Sequence, residues 1–252
     1  MLVPENYLNR TPIYFPNSNT EIILVGCGGT GSWLIPHLFR LVKLYQKKGI
    51  NTALTLFDPD FVEERNCDRQ NFAPAEIGKN KAETIALRYN LSLGCEAIAY
   101  PEPFTAKKLM YQVDRRNYLI IGCVDQIEGR ASIVEHFKQF PHKTEYDWYL
   151  DCGNHFDTGQ VLIGNSLQLQ IEKYPKVKLT QSIPLPTIQH PELLQADQNP
   201  NPISCEEQQN TTINQIVASI AADYVFQLYQ GTLTHYATYI DLDSGITQSK
   251  YA

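Results

Sequence analysis

A short apolar run, EIILVG (21–26), passes directly into CGGTGS and then into a segment with helical apolar spacing. No other stretch of the chain restricts its fold so much. A buried strand, a glycine turn and an amphipathic helix form the first half of a βαβ unit, and such units build parallel sheets covered by helices on both faces. In GSWLIPHLFRLVKLYQKK (31–48) apolar residues recur at 34, 38, 41 and 45, the spacing of one helix face. Pro36 is compatible with a helix that begins near Gly31 or Ser32, because the first turns have N–H groups without partners in any case.

The alternation then continues. TALTLFD (52–58), CEAIAY (95–100), YLIIGCVD (118–125) and WYLDCG (148–153) read as strands. NKAETIALRYNLSLG (80–94), TAKKLMYQVDRR (105–116) and EGRASIVEHFKQF (128–140) read as the helices between them, the first ended by Gly94,. The expected fold is α/β: a Rossmann-like, doubly wound, mostly parallel sheet. Beyond residue 153 the pattern changes. QVLIGNSLQLQI (160–171) predicts one or two antiparallel strands, and the proline-rich stretch 172–204 predicts a long loop,. TTINQIVASIAADYVFQLYQG (211–231) is a long helix with apolar positions at 213, 216, 217, 220, 224, 225 and 228, and HYATYIDLD (235–243) closes as a strand. The apolar stripe of that helix suits core rather than interface. Residues 1–20 read as an extended arm. We therefore expect one domain over 1–252, with a core at 21–153 and an antiparallel C-terminal portion at 154–252.

Composition excludes several classes. With 252 residues, 43% of them hydrophobic, the chain can bury a sizeable core without staples. Its net charge of −6 argues against sequence-independent nucleic-acid binding, which needs a basic footprint. The six cysteines, Cys27, Cys67, Cys95, Cys123, Cys152 and Cys205, form no C-x-x-C pair, so a zinc ribbon is not expected. Scattered cysteines without a leader pattern suit a reducing cytoplasm. No unbroken apolar run approaches the length of a membrane span,.

The glycines carry the first chemical signal. Gly26, Gly28 and Gly31 satisfy G-x-G-x-x-G, a turn in which phosphate oxygens reach backbone N–H groups at a helix N-terminus. That pattern alone leaves NAD and ATP open. Asp58 ends the second strand, where an acidic residue takes ribose hydroxyls,. The polar run FDPDFVEERNCDRQNF (57–72) then supplies Asp60, Asn66, Arg69 and Gln70, and IGKNKAE supplies Lys79 and Lys81. Arg69 and Lys81 can both turn toward the C-terminal edge of the sheet, and two cations suit a triphosphate better than a pyrophosphate held on amides. Asp125 ends the fourth strand, where a carboxylate facing phosphates can hold Mg²⁺,. Together these residues describe ATP activation. Hydride transfer would leave the arginine and lysine unexplained. Glu63, Glu64 and Arg65 read as solvated.

These residues resemble the ThiF/MoeB family, relatives of ubiquitin-activating enzymes. The shared pattern is Gly26-Cys27-Gly28-Gly29-Thr30-Gly31, then Asp58-Pro59-Asp60, then Asn66-Cys67-Asp68-Arg69-Gln70, then Gly78-Lys79-Asn80-Lys81-Ala82, then Asp125 with Arg130. The order and spacing hold over residues 22–130. The resemblance implies that ATP lies on the glycine loop with its ribose on Asp58. It implies phosphate contacts from Asn66, Arg69 and Lys81, and Mg²⁺ on Asp125. The implied reaction is adenylation of the C-terminal carboxylate of a small ubiquitin-like protein ending in glycine, with release of pyrophosphate. A homodimer is implied as well.

The departures from the family pattern are specific. The two C-x-x-C pairs of many members are absent, so no structural zinc is expected, and Gln126 stands where members often have asparagine. Arg10 is the N-terminal candidate for an arginine reaching a partner subunit's site, although its surroundings read as non-helical. Cys205, in PISCEEQ, sits where a cysteine of ThiF-like proteins can react with the activated C-terminus,. The layout is most similar to the ThiF-family proteins of bacterial PRTRC gene systems. The alternatives are a non-catalytic subunit that binds a ubiquitin-like protein, and adenylation of a small molecule or of tRNA.

Overall fold

The computed structural model describes residues 10–110, 116–139, 146–174, 178–195 and 211–252. Its frame is an eight-stranded sheet with the order β10-β9-β6-β5-β4-β1-β2-β3. The strands are β1 (Asn19–Val25), β2 (Asn51–Phe57), β3 (Ile98–Tyr100), β4 (Asn117–Gly122), β5 (Trp148–Asn154), β6 (Thr158–Gly164), β9 (His235–Asp241) and β10 (Ile246–Tyr251). The first five are parallel; β6, β9 and β10 extend the sheet antiparallel. β1 lies between β2 and β4, with Val25 paired to Phe57 on one side and to Gly122 on the other. The strand order reverses there, and in open α/β sheets ligands bind outside the carboxyl ends of strands at such a reversal.

The central strands are buried on both faces, which is why they read as continuous apolar runs. On β1, Ile22 and Leu24 enter the larger core with Leu119, Ile121, Leu150, Val161 and Ile163, beneath α1 (Gly29–Lys47) and α6 (Thr211–Gln230). Ile23 and Val25 enter the opposite core with Phe57, Ile120, Ile133 and Tyr149, against α4 (Ile127–Gln139). The α6 stripe is core: Ile213, Val217, Tyr224, Val225 and Leu228 are buried, and Tyr229 stacks on Tyr45 of α1 with ring centroids 4.1 Å apart. Helix α2 (Lys81–Leu93) packs beside α1 and ends on Gly94 in the left-handed conformation. The helix expected over 105–116 is a short α3 (Lys107–Met110) within the described residues.

Three expectations need correction. The loop expected over 172–204 is not one loop in its described residues, 172–174 and 178–195; 196–204 lie outside them. The described ones hold a two-stranded hairpin, β7 (Glu172–Tyr174) with β8 (Leu179–Ser182), followed by a short α5 (Pro186–Gln189). The hairpin is secured from outside, by a bridge from Ile13 to Thr180 and one from Ser166 to Pro184. The strand at 160–171 stops at Gly164, where a Cβ would lie 1.9 Å from the Pro184 carbonyl oxygen. A final strand, β10, follows β9 and was not foreseen. Its residues ITQSKY are almost all exposed and lack the apolar alternation that marks a half-buried strand,. The described part of the N-terminal arm is extended and fastened: Ile13 is buried, its N–H donating to Leu233 O and the Tyr14 N–H to Thr180 O. Among the described residues no helix is long and apolar enough to cross a membrane.

Candidate nucleotide site

Val25 ends β1, and the chain turns through Gly26 at φ +93°, a conformation that favours glycine,. The turn is crowded from below. A Cβ on Gly26 would stand 2.5 Å from Cys123 O, and one on Gly31 would stand 2.0 Å from Gly26 O. Above Gly28 there is room, since a Cβ there would meet nothing closer than Gln70 Nε2 at 3.9 Å. Helix α1 begins at Gly29 with no side-chain cap and no acidic residue in its first turn. The N–H groups of a helix's first turn have no partner within the helix, and they carry the positive end of its dipole. An open glycine surface in front of an uncapped helix N-terminus is a place for an anion.

Asp58 and Asp60 divide the work expected of the second strand. The Asp58 carboxylate accepts the Cys27 N–H at 2.6 Å and the Asp60 N–H at 2.8 Å. It is buried, and burial pushes its pKa above the usual carboxylate range while those two N–H groups and Lys81 pull against the shift. Asp58 therefore ties the glycine loop to the end of β2. Asp60 is the open carboxylate of the pair, with its side chain 66% exposed. Lys81 reaches it with Nζ 3.2 Å from Oδ2, while its own side chain is only 10% exposed. Asn80 sets this ammonium in place. Its Oδ1 caps α2 by accepting the Glu83 N–H, and its Nδ2 donates to the carbonyls of Asp58 and Asp60. The N-x-x-E spacing at the start of α2 is a legible capping signal.

The polar run after β2 is a docked loop. Asn66 is buried and closes the 3-10 turn Glu64–Asn66 by accepting the Glu63 N–H on Oδ1. Glu63 and Arg65 pair with each other in solvent. Arg69 is half-buried, with its carbonyl accepting the Trp33 indole N–H at 3.0 Å. Gln70 is buried beside the glycine loop, and its Oε1 has no protein partner. The anchor of the loop is Asn71, which the sequence alone did not single out. Helix α1 starts at Gly29, and Pro36 in its interior withholds the N–H that would satisfy Ser32 O,. Asn71 Nδ2 donates to that carbonyl at 3.1 Å, and the Asn71 N–H donates to Ser32 Oγ at 3.0 Å. Arg88 holds the loop from the other side through Asn71 O and Glu76.

Asp125 is exposed beyond β4, two residues after the Cys123 that lies against Gly26 and Gly31. Arg130 donates to Asp125 O at 3.4 Å and to the Asp151 carboxylate at 3.2 Å. Asp151 is fully buried, and burial raises its pKa against the opposing pull of Arg130 and the Tyr149 hydroxyl. Among the described residues no three His, Cys, Asp or Glu side chains converge as a metal cage. A lone exposed Asp125 suits Mg²⁺, which binds through one or two carboxylates and completes its shell with substrate phosphates and water.

Burial pushes the Cys27 thiol well up, which makes it a core residue, and Cys152 is buried as well. Cys205 lies outside the described residues. Arg10 stands 3.2 Å over the Tyr251 ring. Tyr251 ends β10, which runs antiparallel to β9, so Arg10 sits at the edge of the sheet opposite the glycine loop.

Strand order and glycine loop define an open α/β domain with a candidate nucleotide site at the β1/β4 reversal. The sequence profile of the ThiF family matches residues 17–143, half of the chain, and the protein belongs to that family. It is 28% identical over 134 residues to tRNA threonylcarbamoyladenosine dehydratase of Haemophilus influenzae, an alignment covering 50% of this chain and 48% of that protein. Its fold is similar to that of PaaA, with a TM-score of 0.60 and 18% identity, and to that of E. coli MccB solved with ATP, with a TM-score of 0.58 and 16% identity. Each superposition covers 93% of this chain and 64% of the other. The chain thus matches about half the length of the curated relative and under two thirds of the solved chains.

Proposed function

We propose that the protein binds ATP at the β1/β4 reversal and adenylates a carboxylate, that of the C-terminal glycine of a small ubiquitin-like protein. The observation that carries this reading is the uncapped N-terminus of α1 behind the open surface of Gly28, faced by a buried lysine on an exposed aspartate. Phosphate oxygens lie on the N–H groups of Gly29 to Gly31. Lys81 turns from Asp60 toward them, and Arg69 adds a second cation. Asp58, whose carboxylate oxygens each accept one backbone N–H and keep a further lone pair, accepts the ribose hydroxyls with the open carboxylate of Asp60 beside it,. Asp125 would hold Mg²⁺, whose charge screens the triphosphate from the incoming carboxylate. A carboxylate oxygen attacks the α-phosphorus, the bond to the β-phosphate oxygen breaks, and pyrophosphate leaves. Cys205 would then displace AMP as a thiolate and keep the acyl group as a thioester. We place the protein with the ThiF-family members of bacterial PRTRC systems, acting as a homodimer.

ATP–pyrophosphate exchange tests the reaction. Exchange that requires a ubiquitin-fold protein ending in glycine, and that disappears in Asp125→Ala, supports the proposal. ATP binding without exchange for any such protein would sink it. The likeness to the tRNA threonylcarbamoyladenosine dehydratase favours one rival, activation of a carboxylate borne on tRNA. The same assay with tRNA in place of the protein reads that outcome directly.

A further inference from the structure

Gly29 is glycine for a reason unlike that of its neighbours in the loop. A Cβ there would meet the Asn214 side chain, at 2.7 Å from Oδ1, 3.2 Å from Cγ and 3.4 Å from Nδ2. The amide of Asn214 therefore occupies, oxygen first, the space a Cβ on Gly29 would need. Asn214 stands in the first turn of α6, far from the glycine loop in sequence, and is 1% exposed. It is a buried amide beside the buried Ile213 and Val217 of that helix, whereas the neighbouring Gln215 is exposed. The next residue of the loop, Thr30, is also buried. Its hydroxyl lies 3.0 Å from Asn154 Oδ1, at the end of β5, and 3.1 Å from Asn214 Oδ1. One hydroxyl proton serves one of these oxygens at a time.

We infer that Asn214 is a positioning residue for the nucleotide loop. Its amide occupies the space at Gly29 and shares the Thr30 hydroxyl with Asn154. The N–H groups that open α1 are thereby aimed from α6 and β5 and not by the loop alone. The second glycine of the doublet answers to an asparagine on a distant helix, while Gly28 answers to the ligand. This inference rests on the proposal that the loop binds ATP, and it deepens that proposal.

A mutant cycle on the full chain separates the two. The variants are Gly29→Ala, Asn214→Ala and both together, with ATP affinity and Tm measured for each. Packing against Asn214 predicts that G29A weakens ATP binding by about tenfold and N214A by about threefold to tenfold, while the double variant is no weaker than N214A, the non-additivity of residues in contact. The same order holds in Tm, with G29A lowest and the double variant recovered. Losses that multiply in the double variant overturn the inference, because Gly29 would then serve the ligand. A harmless G29A overturns it too. An N214A protein whose ATP affinity is unchanged would make Asn214 a packing residue only, against the positioning role. If the wild-type chain binds no ATP, the function proposal fails, and the Tm cycle still reads whether Asn214 fills the space at Gly29. Should G29A fail to fold, recovery of folding in the double variant supports the packing and its absence overturns it.

Discussion

Lys81 and Asp58 are both buried charges beside the glycine loop, and they answer differently to substitution. Lys81 is buried but its partner is not, with the Asp60 side chain 66% exposed. Removing the ammonium in Lys81→Met leaves Asp60 in water, and the buried Asp58 keeps the two backbone N–H groups that share with Lys81 the work of offsetting its burial,. Folding should change little, by less than ~1 kcal/mol, as expected for a pair with one exposed member. A lost charge-assisted contact to phosphate costs about 1.5–3 kcal/mol, which weakens ATP binding roughly tenfold to a hundredfold. Isothermal titration beside a denaturant melt checks both halves. Asp58 holds two backbone N–H groups from a site where burial raises its pKa. With a folded pKa above the unfolded one, the native state binds more protons in the interval between them. The contribution of Asp58 to stability is then fully present below the ordinary pKa of about 3.9 and lost as pH rises through the folded value. A carboxyl chemical-shift titration should place its midpoint above ~3.9. The stability of the wild type relative to Asp58→Asn should fall as pH rises across that window. A midpoint below the ordinary value would contradict this account.

At the scale of elements, the loop after β2 and helix α1 are one unit, joined because Pro36 leaves the Ser32 carbonyl without a helical donor. Pro36→Ala restores an N–H at position 36 that competes with Asn71 for that oxygen. Its helix should be at least as stable as before, since an interior proline disfavours a helix by about 3 kcal/mol relative to alanine. The loop carrying Arg69 and Gln70 should loosen, and ATP binding should weaken by about threefold to tenfold, the loss of one hydrogen bond. Asn71→Ala should show the same weakening with a lower Tm, because the carbonyl is then left without either donor. Equal ATP affinities in all three proteins would show that the loop is held elsewhere. None of this was legible in the sequence. The proline was visible, but its consequence depends on where α1 begins, and Asn71 is one amide in a polar run. Elements specified by burial along their own length could be read, β1 and β4 as continuous apolar runs and α6 by its helical period. The hairpin β7–β8 and strand β10 depend on partners distant in sequence, and their exposed residues carry no period.

At the scale of the whole molecule, the glycine loop, Asp58, Arg69, Lys81 and Asp125 could be assigned to one edge of the sheet, because alternating strands and helices place the strand ends together. The clasp of Thr30, Asn154 and Asn214 could not, because it joins three elements by single polar side chains. The proposed site draws on α1, α2, β2, β4, β5 and α6, so nucleotide binding should stabilise the molecule as one body. A ligand at a hundred times its Kd adds about 2.7 kcal/mol to the native state. For a domain of this size that shifts Tm by ~5–10 °C. Saturating ATP with Mg²⁺ should give such a shift in the wild type and about half of it or less in Lys81→Met at the same concentration. NAD should give none, since Arg69 and Lys81 suit three phosphates and not two. An equal shift from NAD would return the glycine loop to dinucleotide binding, and a shift from ATP retained in full in Lys81→Met would move the phosphates away from α2.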